Sequence, residues 1–180
     1  MKLIEGLNKN LRNNNQKDFI NTLKNASEEF FPPIDHEYAA SLYFLEFKTI
    51  YDDKETNLDL EDFINGIKVL NSIALINRAI EFKFSSNNEE INNNNNNNED
   101  LFECLSEPNA HLQDINKNLI NLYKNLFFKL KSEKLMINDE NNNTSSSLSG
   151  ANNFLIHSEI QDCITNGNIM FEKEYLGKLY

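Results

Sequence analysis

The ten residues Tyr38-Ala-Ala-Ser-Leu-Tyr-Phe-Leu-Glu-Phe47 are echoed eighty positions later by Asn118-Leu-Ile-Asn-Leu-Tyr-Lys-Asn-Leu-Phe127. The Leu-Tyr pairs, Leu42-Tyr43 and Leu122-Tyr123, fall in register, with Phe47 over Phe127. Upstream, Leu7-Asn8 with Leu11 parallels Ile76-Asn77 with Ile80, and Leu23 parallels Leu105. Downstream, Phe63 and Ile67 parallel Ile160 and Ile164. The separation between partners grows from 69 to about 80 and then to 97 residues, jumping where Asn-rich and Ser-rich tracts interrupt the chain. With those tracts set aside, the chain reads as two consecutive units of one helical array. Arrays of this kind bury their apolar faces against neighbouring units and present surface, so binding or scaffolding is the first expectation.

Composition supports helices. The 180 residues include 13 Phe and 6 Tyr but only 5 Gly, 3 Pro and no Trp, which suits long helices better than a turn-rich sheet. A chain of this length holds one ordinary domain or two short units sharing a core. The net charge of −11 gives the bulk field the wrong sign for phosphate backbones or anionic lipid, which argues against nucleic acid. Lys129, Lys131 and Lys134 lie at helical spacing and read as one solvated face. Cys104 and Cys163 are isolated at apolar-periodic positions and read as small buried hydrophobes. With no disulfide framework, a reducing cytosolic compartment is favoured. The opening Met-Lys-Leu-Ile-Glu-Gly-Leu-Asn is too short an apolar run for a signal peptide, and no stretch approaches the ~20 apolar residues of a bilayer span. A soluble cytoplasmic protein is expected.

Periodicity predicts helices over about 2–12 (Leu3, Leu7, Leu11), 16–24 (Phe19, Ile20, Leu23) and, after the break at Pro32-Pro33, about 35–53. Asp35 is placed to cap the third, whose stripes carry Tyr38, Leu42, Leu45, Thr49 and Ala39, Tyr43, Phe47, Ile50. Asp59 with Asp62 forms a capping box for a long helix over 59–82 that belongs to both units. A short helix over 100–106 ends at Glu107-Pro108-Asn109. Asp114 is placed to cap a helix over 114–134 with Ile115, Leu119, Leu122, Leu126 and Leu130 inward. The last segment, from about Ile156, meets Gly167, and beyond it Ile169 to Tyr180 leaves the repeat. The tract 85–99, with seven consecutive Asn, and the tract 138–153 offer little to bury and are expected to be disordered loop insertions.

The stretch from Asn57 to Ile80 resembles the junction between successive repeats of the IQGAP family, the IQ-motif-containing, Ras-GTPase-activating-like scaffolds. Its most specific part is Ala74-Leu-Ile-Asn-Arg-Ala-Ile80. Leu105-Ser-Glu-Pro-Asn-Ala-His-Leu112, the two Leu-Tyr pairs and Ser158-Glu-Ile-Gln-Asp-Cys-Ile164 add to the likeness. It covers the internal repeat region only, which in that family serves oligomerisation and protein docking and carries no catalytic residues. Ile160-Gln161 opens no IQ motif, because Thr165 and Asn166 stand where Arg and Gly are required. No calmodulin site is therefore expected in this segment.

Chemistry is not signalled elsewhere. His36, His111 and His157 lie in separate segments without converging ligands, and HExxH, CxxC, EF-hand and Gly-rich phosphate loops are absent. Carboxylate pairs such as Asp52-Asp53, Glu28-Glu29 and Glu89-Glu90 are adjacent and point apart on a helix. No catalytic residue, cofactor or metal is assigned. The expectation is an all-α fold of two tandem helical repeats interrupted by Asn/Ser-rich loops. A first unit spans 1–82, a second 100–137, and a C-terminal helical segment 154–180. The long helices 35–53 and 114–134 are expected to pack against the helix at 59–82. The repeat core is assigned to Leu42, Tyr43, Phe63, Ile67, Leu75, Ile76, Ile80, Leu105, Leu122, Tyr123, Ile160 and Ile164. The resemblance implies protein partners, a second copy included, and actin-cytoskeleton or small-GTPase signalling components at the cytoskeleton or cell cortex. A generic helical adaptor, or a fragment of a GTPase regulator lacking its active domain, is the alternative.

Overall fold

The computed structural model describes residues 2–26, 30–54, 56–81, 94–140 and 153–177. Among them the chain is all-helical. In order come α1 (Lys2–Arg12), α2 (Gln16–Ala26), α3 (Ala40–Lys54), α4 (Leu60–Glu81), α5 (Asn94–Leu105), α6 (Ile120–Glu140) and α7 (His157–Leu176). Short 3-10 turns at Pro108–Ala110 and Lys117–Leu119 precede α6. The chain divides into two compact units, Met1–Ala74 and Leu75–Tyr180, and the division falls inside α4.

Unit 1 is held by aromatic packing. α3 lies against α1 and α2. Phe19, Phe44, Phe47 and Phe63 are fully buried, and Phe47 stands 5.1 Å from Phe63 and 5.8 Å from Phe19, centroid to centroid. Phe31 joins Phe63 at 6.2 Å. Edge-on and tilted pairs of this kind add to the burial of the rings themselves. The sequence-predicted capping box forms: the Asp59 N–H donates to Asp62 at 2.8 Å, and the Asp62 N–H donates to Asp59 at 2.9 Å. Together they satisfy two backbone donors at the start of α4. Asp35 accepts the Tyr38 N–H at 3.2 Å, capping a turn that leads into α3 at Ala40.

In unit 2, α6 packs against α5 and α7, so α7, more than the helix at 59–82, is its principal neighbour. α6 also starts later than the sequence suggested. Asp114 is in the left-handed region (φ 57°) and cannot begin a helix. Asn116 caps the 3-10 turn that leads into α6, its side chain accepting the Asn118 N–H at 3.0 Å. The inner face is turned by one residue from the expected one. Ile120, Tyr123 and Phe127 are buried, whereas Leu122, Leu126 and Leu130 are only half-buried. Lys124 and Lys131 lie on the buried line, where their methylene stems pack as apolar groups, and this hid the line in the sequence.

α5 begins at Asn94, inside the tract expected to be a loop. Leu101 and Leu105 are buried and fix the helix, and extending a nucleated helix backwards costs little per residue. α6 likewise runs to Glu140, into the expected second tract. Residues 85–93 and 141–152 lie outside the described residues. α7 continues through Gly167 to Leu176.

Candidate functional site

Most of the predicted core residues are buried. Tyr43, Phe63, Ile67, Ile76, Ile80, Tyr123, Ile160 and Ile164 have no exposure, and Leu42 and Leu105 are nearly as deep. Two differ. Leu122 flanks the buried line of α6, and Leu75 is 53% exposed. Leu75 is two residues from both Ile73 and Asn77, about 200° around the helix from that buried side.

What organises each unit is polar, and it occurs twice. In unit 1, Asn8 on α1 donates from Nδ2 to the Leu58 carbonyl at 2.8 Å, and its Oδ1 accepts the Leu58 N–H at 2.8 Å. In unit 2, Asn77 makes the same two bonds with Leu155, both at 2.8 Å. Both amides are buried, and each satisfies a backbone N–H and C=O ahead of a helix that have no helical partner.

A second fastening recurs around the tyrosines. The Tyr43 hydroxyl accepts the Asp35 N–H at 3.2 Å and donates to Asn71 Oδ1, while Asn71 Nδ2 donates to the Pro33 carbonyl at 2.9 Å. Correspondingly, the Tyr123 hydroxyl accepts the Asn116 N–H at 3.1 Å and donates to Asn168 Oδ1, and Asn168 Nδ2 donates to the Asp114 carbonyl at 2.8 Å. The left-handed turn at Asp114 presents that carbonyl. Burial, opposed by the Asp35 N–H and reinforced by the Asp35 charge, pushes the Tyr43 phenol up to about 12. Burial raises Tyr123 as well. These hydroxyls are structural donors, far from ionising at neutral pH.

A third pair is ionic. Lys54 meets Asp62 at 2.5 Å, and Lys134 meets Glu159 at 2.7 Å while also donating to the Phe154 carbonyl at 2.8 Å. Lys131 is buried and bonds Glu81, and burial lowers its pKa while Glu81 opposes the shift. The expected solvated lysine face is therefore corrected: Lys129 is exposed, but Lys131 and Lys134 are tied into unit 2. Reading the sequence for chemistry missed these residues. The signal was present for the asparagines, since Asn8 and Asn77 sit in register, as do Asn71 and Asn168.

Among the described residues no group of three or more His, Cys, Asp or Glu is placed to hold a metal ion. Cys163 is buried and its thiol is pushed up to about 11, first by burial and then by Asp162 and Glu159. Cys104 is half-buried and also raised, so neither thiol is an activated nucleophile. Among the described residues no helix is long and apolar enough to cross a membrane. The open features are clefts. Unit 2 has one of about 760 Å³ between α5, the 114–119 segment and α7. Unit 1 has a polar groove of about 590 Å³ between α1 and α2. No protein-family model, curated protein or solved structure matches the chain.

Proposed function

We propose that this chain is a non-enzymatic helical scaffold module built from two units of one kind, acting by protein docking or self-association. The observation that carries this reading is the recurrence of the asparagine clasp and the tyrosine–asparagine latch, bond for bond, in both units. The polar groups described for each unit hold turns and helix starts; Asp114, Asn116 and Asn168 of the unit 2 latch also line its cleft, but they are bonded to one another and to Tyr123. That is how a repeated structural element is organised, with function on its surface. The resemblance of Ala74–Ile80 and its flanking matches to IQGAP repeats supports placing the module among cytoskeletal or small-GTPase signalling scaffolds in the cytoplasm.

Two measurements test this. Actin cosedimentation, together with affinity capture from cytosol using the whole chain, is expected to enrich actin regulators or small-GTPase components. Their absence from both would sink the cytoskeletal assignment. Light scattering is expected to give a mass above that of one chain if the module self-associates, and a clean monomer removes that mode.

A further inference from the structure

The cleft of unit 2 combines an uncovered apolar wall with acidic surroundings. Phe102 of α5, Ile115 and Leu119 of the linking segment, and Ile169 and Phe171 of α7 supply its apolar surface. On α7, Ile169 and Phe171 are exposed by 41% and 44%, and Met170 between them, outside the cleft, by 51%. The places in unit 1 that match Phe102, Ile115, Ile169 and Phe171 by register are Ile20, Ile34, Ser72 and Ala74, and all four are buried. The open wall is thus a property of unit 2 and not of the helical unit in general.

The charge around the cleft is negative. Asp114 and Glu172 line it, against a single lining cation, Lys117, whose Nζ lies 5.1 Å from the Phe102 ring centroid. The helix that carries Phe102 also exposes Asp100 and Glu103, Glu107 follows it, and α7 exposes Glu174 next to the exposed Lys173, so acidic groups remain in the majority. The Cys104 thiol feels this field: after burial, the charges of Asp100, Glu103 and Glu107 raise it.

The geometry points to this cleft as the docking site for a basic, amphipathic helix of a partner protein, whose apolar side chains cover Ile169 and Phe171 while its Lys or Arg residues face Asp114 and Glu172. Helix-in-groove recognition joins apolar lining residues to complementary charge at the rim, and this cleft has both. A second copy of this chain is the poorer occupant, because the chain carries a net charge of −11 and would bring like charge to an acidic rim. This inference rests on the scaffold reading and names its surface.

The test is fluorescence anisotropy with a labelled helical peptide of alternating Leu and Lys faces, titrated with the whole chain. A peptide with Glu in place of Lys serves as the comparison. Binding of the Lys peptide alone is expected, weakened at least about tenfold by Phe171→Ser and by Glu172→Lys, and severalfold by about 0.5 M salt. Ile50→Ser, which removes an exposed apolar residue of unit 1, should leave it unchanged. Circular dichroism of each variant checks that the helices persist. Three results overturn the proposal: no binding of the Lys peptide, equal binding of the Glu peptide, or binding insensitive to both cleft variants. A dimer that Phe171→Ser dissociates also overturns it, by making a second copy the occupant. Capture of cytosolic partners that survives both cleft variants overturns the cleft while leaving the scaffold reading intact.

Discussion

The two units differ in their apolar cores and agree in their polar fastenings. Phe63, in the aromatic cluster of unit 1, is matched by Ile160, and Phe44 by Lys124, yet all four positions are buried. The asparagine clasp, the tyrosine latch and the Lys–carboxylate pair recur in both units. Apolar packing accepts any set of side chains that fills the volume, whereas a buried N–H or C=O accepts only a partner of the right chemistry at the right distance. The polar contacts are therefore the part of the design with the least freedom to drift.

The clasps offer the strongest test of that contrast. Asn8→Ala and Asn77→Ala should each destabilise their own unit by about 2–5 kcal/mol, because each leaves a buried backbone N–H and C=O unpaired. Urea unfolding followed by circular dichroism gives the total, and hydrogen exchange assigns the loss to a unit. Equal loss of protection in both units would show that they unfold together.

The glycines come next. A Cβ on Gly66 would stand 2.6 Å from the Phe47 ring, and one on Gly167 would stand 2.8 Å from the Tyr123 ring. Alanine gains ~1 kcal/mol of helix propensity at each site but overpacks, so a net loss of about 1–2 kcal/mol is expected. Gly66→Ala should cost more, since Phe47 is wedged against Phe19 and Phe63 and has little room to yield. A stabilising Gly66→Ala would mean the aromatic cluster is looser than its geometry implies.

Tyr43→Phe and Tyr123→Phe should each cost about 1–2 kcal/mol by stranding an amide oxygen and a backbone N–H, with similar values in the two units. A large difference between them would break the equivalence of the latches.

The ion pairs give the smallest effect. Hydrogen bonding to Lys54, then to the Asp59 N–H, holds the Asp62 carboxyl below its usual value. A lowered folded pKa contributes stability that is complete above the ordinary carboxylate range and is lost as pH falls through the lowered value. Acid titration of the wild type should therefore show a small loss of stability in that window that Lys54→Met reduces. Lys134→Met should be the costlier lysine replacement of the two, because Lys134 also satisfies the Phe154 carbonyl.

Much of this was legible before any coordinates. The registers of Tyr43 with Tyr123 and of Asn8 with Asn77 show in the sequence, as do the capping box at Asp59 and Asp62 and the helical class. Where the reading of α6 slipped, the cause is specific. Lys124 and Lys131 interrupt the apolar line, so periodicity carried the face on from Leu119, which is buried, to Leu122, Leu126 and Leu130, one residue around the helix from Tyr123 and Phe127. Asp114 resembled a helix cap because sequence does not show that its backbone is left-handed. The cleft of unit 2 was invisible for another reason, since its wall comes from α5, the 114–119 segment and α7.

Local patterning by itself determined that this chain is helical, where most helices start, and which residues repeat. These depend on neighbours within a few turns, and side-chain chemistry fixes them directly. The tertiary structure decided what each repeated residue does: Asn8 and Asn77 clasp chain 50 and 78 residues away, and Lys131 and Lys134 are fastened rather than free. It also decided that Ile169, Met170 and Phe171 of α7 stay exposed. Hydrogen bonds and burial between distant segments depend on which surfaces meet, and spacing along the chain does not encode that.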